Sequence, residues 1–111
     1  MDLKDARAAS PRIRRAVLVP VGEPPRFGRI PLTIDGTRSA EFWCDNDGLD
    51  VLPLNRLVIF RGYTVEICGT IVITAADETA GETYSFTEAE AARCIEIATR
   101  WPHIIENATD L

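Results

Sequence analysis

The chain has 111 residues, 46% of them hydrophobic, which suits one ordinary domain with its own core and excludes a disordered or collagen-like chain. Its longest apolar runs, AVLVPV at 16–21 and IVI at 71–73, fall far short of the roughly 20 residues that span a bilayer. The net charge of −5 is unevenly spread: residues 1–38 carry eight basic and four acidic side chains (+4), residues 39–111 four basic and thirteen acidic (−9), and so acidic a body argues against direct nucleic-acid binding.

The first fifteen residues, MDLKDARAASPRIRR, are basic and poor in apolar side chains, and they are expected to form a flexible arm ahead of a single domain over 16–111. Arg7, Arg12, Arg14 and Arg15 could neutralise phosphates, but a solvated terminus is the commoner use of such a segment. The apolar run that follows is shorter than the roughly 7 to 15 residues of a secretory h-region, and no small-residue cleavage site follows it, so a cytoplasmic location is expected.

AVLVPV reads as a first strand, with Pro20 confined to an edge because it has no N–H to donate. GEPPRFG, residues 22–28, reads as a connector. RIPLTID and RSAEFWC flank Asp35, Gly36 and Thr37 as a hairpin. A three-residue loop would place Leu32 opposite Ala40 and Ile30 opposite Phe42, which keeps one face apolar. A two-residue turn at Arg61-Gly62 pairs Phe60 with Tyr63 and Val58 with Val65. Gly69, inside the long run YTVEICGTIVIT, marks a bulge or bend. ADETAGE is an acidic turn leading to a short strand, TYSF.

The period then changes. Thr87 and Glu90 form a capping box, with Phe86 and Ala91 at the staple positions. Ala91, Cys94, Ile95, Ala98 and Trp101 recur at spacings of three and four, while Glu88, Arg93, Glu96 and Arg100 fall off that face. Pro102 ends the helix. The expected fold is therefore α+β: an antiparallel sheet of five or six strands with one C-terminal helix, about 87–100, packed on one face.

CDNDGLD, residues 44–50, is the segment that most resembles a site. As an EF-hand loop with Gly48 at position 6, it would have Trp43 at position 1 and Leu54 at position 12, where oxygen ligands are needed. A hairpin turn with Gly48 at positive φ is the simpler reading, and no metal or other cofactor is expected. Cys44, Cys68 and Cys94 lie beside an acid, in an apolar strand and on the buried helical face, so they read as small core hydrophobes. A catalytic thiol would want a histidine, and the one histidine, His103, lies beyond the helix with no signature around any cysteine. Ser10, Ser39 and Ser85 sit in no nucleophile elbow, and no phosphate loop or HExxH is present.

What remains is surface chemistry. Asp45, Asp47, Asp50, Asp77, Glu78 and Glu82 could present carboxylates to a protein surface that normally holds phosphates. The expected function is a non-catalytic protein-interaction module, most concretely a small acidic inhibitor or adaptor binding a basic surface of a nucleic-acid-handling protein. The alternative is a small enzyme or ligand-binding domain with a pocket between sheet and helix. A homodimer through a sheet edge, using the strand with Phe42 and Trp43, is a further arrangement the sequence allows.

Overall fold

The computed structural model describes residues 13, 15–29, 38–45, 47–60, 63–77, 85–100 and 104–105. The elements are β1 (Arg15–Val19), β2 (Arg26–Arg29), β3 (Arg38–Trp43), β4 (Leu54–Phe60), β5 (Tyr63–Cys68), β6 (Ile71–Asp77), α1 (Glu88–Thr99) and β7 (Ile104–Ile105). The fold is α+β, but the strands form two sheets rather than one of five or six. The first is antiparallel in the order β2-β1-β6-β3; the second is the β4-β5 hairpin, extended by the two-residue β7 in parallel beside β4.

Gly69 explains the division. YTVEICGTIVIT is two strands, β5 and β6, and the chain passes from one sheet to the other at Gly69, whose φ is +77°. Its N–H donates to the Pro53 carbonyl at 2.8 Å, and a Cβ there would stand 2.7 Å from Leu52 Cδ1. Glycine suits both: it adopts this dihedral without strain, whereas a side chain here would be strained and would displace Leu52. The expected bulge is thus a break between sheets.

β6 is an inner strand, flanked by β1 and β3, and both its faces are covered. Ile71, Ile73 and Ala75 join Val17, Val19 and Ala40 in a cluster with Phe86, Ala91, Cys94 and Ala98 from the helical segment. Val72 points the other way, into a smaller cluster with Ile13, Ala16 and Trp43. Burial on both sides is why IVITA lacks the alternation of a half-exposed strand. Each fully enclosed aliphatic side chain contributes about 1.5–3 kcal/mol.

Several sequence expectations shift. GEPPRFG is not wholly a connector: from Arg26 it forms β2 against β1, with Val17 opposite Phe27. β1 is internal and ends at Val19, so Pro20 escapes the ladder by following the strand. Ser85 and Phe86 lie outside any strand, against the expected TYSF. Ile13 is fully buried and Arg15 begins β1, so both belong to the packed body rather than to the arm. β3 pairs along its length with β6. The hairpin register around Asp35-Gly36 and the acidic turn from Glu78 onward lie outside the described residues, as do residues 1–12, Trp101 and His103.

The β4-β5 hairpin has the expected register, with Phe60 opposite Tyr63 and Val58 opposite Val65. α1 begins as its sequence dictates. Thr87 Oγ1 accepts from the Glu90 N–H at 3.2 Å, and Glu90 Oε1 accepts from the Thr87 N–H at 2.8 Å. Ala91, Cys94, Ile97 and Ala98 are its buried residues, whereas Ile95 is only partly buried, against the cluster that holds Ala91, Cys94 and Ala98. The expected stripe is therefore rotated toward Ile97.

Candidate protein-docking surface

The loop from Cys44 to β4 is held in one shape by its own backbone. Asp45 Oδ1 accepts from the Asp47 N–H at 3.0 Å, an Asx turn, and the Asp45 carbonyl accepts from the Gly48 N–H at 3.0 Å. The Gly48 carbonyl then receives the N–H groups of Val51 (3.1 Å) and Leu52 (2.8 Å). Gly48 is needed here, though not for a positive φ. It is buried, and a Cβ on it would meet Leu52 Cδ1 at 2.9 Å and the Asp45 carbonyl oxygen at 3.1 Å. The left-handed residue is instead Asp50, at φ 66°, a conformation that aspartate tolerates better than most side chains.

This frame displays an unusual surface. Leu49, Val51, Leu52 and Leu54 are all exposed, Val51 to 77%, and Asp47 and Asp50 are exposed among them. Asp45 is half-buried. The acidic character of this loop was legible in the sequence. Its aliphatic half was missed, because an apolar run such as LDVLPL does not reveal by composition whether it is buried. The available signal was Pro53, together with the adjacent Val51-Leu52 pair that breaks the alternation of a half-buried strand.

The six acidic residues do not share one place. In the β3/β6 register Trp43 faces Val72 and Arg38 faces Asp77, so Asp77 stands at the opposite end of the sheet from the 44–54 loop. Five residues of strand separate those ends, about 17 Å. Glu78 and Glu82 lie outside the described residues.

A polar junction anchors the loop's far end. Asn55, buried in β4, donates through Nδ2 to the carbonyls of Val19 (2.6 Å) and Gly69 (2.7 Å), tying the end of β1 to the bend between the sheets. Arg56 Nη1 donates to Asn55 Oδ1 at 3.0 Å, and its Nη2 to the Glu23 carbonyl at 3.3 Å. On the sheet face away from the helix, buried Trp43 donates from Nε1 to Thr74 Oγ1 at 2.8 Å. Its ring is thus part of the core and not of an edge surface. Opposite Thr74 stands Glu41, whose carboxyl is pushed above its ordinary value by burial and whose buried Oε2 has no hydrogen-bond partner among the described residues.

The cysteines are free. Burial pushes the Cys94 thiol up to about 12, so it is a neutral core group at physiological pH. Between sheet and helix, the described residues form the apolar cluster around Ile71, Ile73 and Cys94, whereas a ligand pocket there would need convergent polar groups. Among the described residues no three histidine, cysteine, aspartate or glutamate side chains converge as metal ligands. None of the described helices is long and apolar enough to cross a membrane.

The model of one family, described as a domain of unknown function and designated DUF3846, matches residues 28–99, well over half of the chain. The matched span runs from the end of β2 through α1 and contains the whole 44–54 loop, while β1 lies ahead of it. No curated protein and no solved structure matches the chain.

Proposed function

The chain belongs to the DUF3846 family, and we propose that it is a non-catalytic protein-interaction module that docks through its 45–54 loop. The observation that carries this reading is the loop itself: a self-bonded backbone that holds four exposed aliphatic side chains beside exposed carboxylates. Apolar side chains left exposed in a group beside polar ones are characteristic of contact sites. Because the loop is already ordered, docking would cost little conformational entropy.

The chemistry of the loop selects the partner. Leu49, Val51, Leu52 and Leu54 would supply buried area, while Asp47 and Asp50 would pair with arginine or lysine and steer the encounter. A protein that handles nucleic acid offers such cations in the basic surface that ordinarily holds phosphates, and the module would act on it as an acidic inhibitor or adaptor. Asp77 would then add a second acidic point at the far end of the sheet rather than enlarge the same contact.

The test is affinity capture with nuclease-treated extracts, comparing the native protein with Val51→Lys and with Asp47→Lys/Asp50→Lys. Native protein should retain basic, nucleic-acid-handling proteins, and both variants should lose them while keeping a native circular dichroism spectrum and melting profile. Retention of the same proteins by both variants would remove the docking reading.

A further inference from the structure

We infer that β5 is a second, separate interaction surface, and that its partner is the β5 strand of another copy of this chain, paired antiparallel about a two-fold axis at Val65. β5 is the outer strand of its sheet, with β4 as its neighbour among the described residues. Tyr63, Thr64, Val65 and Glu66 are all exposed, although two of the four are large and apolar. The edge is lightly protected: Tyr63–Cys68 contains no proline or lysine, Glu66 is its one charged residue, and Tyr63 to Ile67 pair with β4 in unbroken register, the one shift lying beyond them toward Leu54.

The hydrogen-bonding geometry is set by the turn. Phe60 and Tyr63 flank the two-residue connection and form its hydrogen-bonded pair. The antiparallel alternation then aims the N–H and C=O of Thr64 and Glu66 away from β4, where a further strand would receive them.

The side chains select which strand fits. In antiparallel pairing, residues directly opposite share a face. With the axis at Val65, the two Val65 side chains meet, Tyr63 meets Ile67 of the other copy on that same apolar face, and Thr64 meets Glu66 on the other face. Moving the axis to Glu66 would set two carboxylates against each other, and placing it between residues would mix the faces. The strand is therefore complementary to itself in one long register, the condition for an isologous dimer. Ile67 already packs against the main core cluster, so the new contact would continue an apolar surface from the interior outward. Strand pairing of this length buries little area, which makes the dimer a weak, concentration-dependent one.

Sedimentation velocity over a concentration series up to about 1 mM reads the result. The average mass should rise from the 12.3 kDa protomer toward twice that value. Val65→Lys and Val65→Glu, each folded by circular dichroism, should remain monomeric alone at concentrations where the native protein is mostly dimeric, and an equimolar mixture should restore the dimer. Thr64→Pro, which deletes an outward N–H while leaving the bonds to β4, should also be monomeric. A native protein that stays monomeric throughout would overturn the inference. So would variants that dimerise as well as the native chain, or a Lys/Glu mixture that fails to associate.

Discussion

At the scale of single residues, the polar groups that matter most join parts of the chain distant in sequence. Asn55 reaches carbonyls 36 and 14 positions away, and its own Oδ1 is satisfied by Arg56. Asn55→Ala leaves the Val19 and Gly69 carbonyls without that donor, and it should cost about 1–3 kcal/mol by chemical denaturation. A near-neutral result would mean that the two sheets are held by packing alone. Cys94 gives a pH-dependent prediction. Below pH 9.0, its ordinary value, the thiol is protonated in both folded and unfolded chains and adds no slope. As pH rises from there toward 12, the unfolded chain releases the proton while the folded one keeps it. Stability should therefore fall by up to about 1.4 kcal/mol per pH unit. Cys94→Ala should lose that component, seen by comparing alkaline denaturation midpoints. The core character of Cys94 was legible, because its helical spacing marks it. Asn55 was not: nothing in LNRLVIF separates a bridging asparagine from a solvated one.

At the scale of elements, the parts that were read correctly are those whose signals are local. The capping box spans four residues, and the Arg61-Gly62 hairpin needs only the two strands beside the turn. Thr87→Ala should cost about 1 kcal/mol. Ile97→Ala should cost about 2–5 kcal/mol as a truncation in a packed core, and more than Ile95→Ala. Arg93→Ala and Glu96→Ala, both exposed, should stay within about 0.5 kcal/mol. Denaturation of this set checks the orientation of α1; if Ile95→Ala proves the costlier truncation, the helix is rotated from the position described. Periodicity identified a helical face but not its centre, since Ile95 and Ile97 flank the same stripe and only the tertiary structure decides which one is more enclosed. Likewise RFGR looked like part of a proline-rich connector until β1 offered it a ladder to join.

At the scale of the whole molecule, charge and topology act together. The acidic excess of residues 39–111 should make docking through the 45–54 loop faster at low ionic strength, and the association rate should fall steeply as salt is added while dissociation changes less. Stopped-flow binding to the captured partner measures this, and a salt-independent association rate would remove the electrostatic half of the proposal. The amino-acid sequence by itself determined the α+β class, the capped helix and the β4-β5 register, because each follows from residues a few positions apart; the hairpin expected at 44–50 is instead a link between β3 and β4, which lie in different sheets. Only the tertiary structure decided that Gly69 divides the strands between two sheets, that Asp77 stands at the far end from Asp47, and that the aliphatic residues after Gly48 face outward. Those outcomes depend on which distant strand covers which face, and pairings across tens of residues leave no local pattern to read.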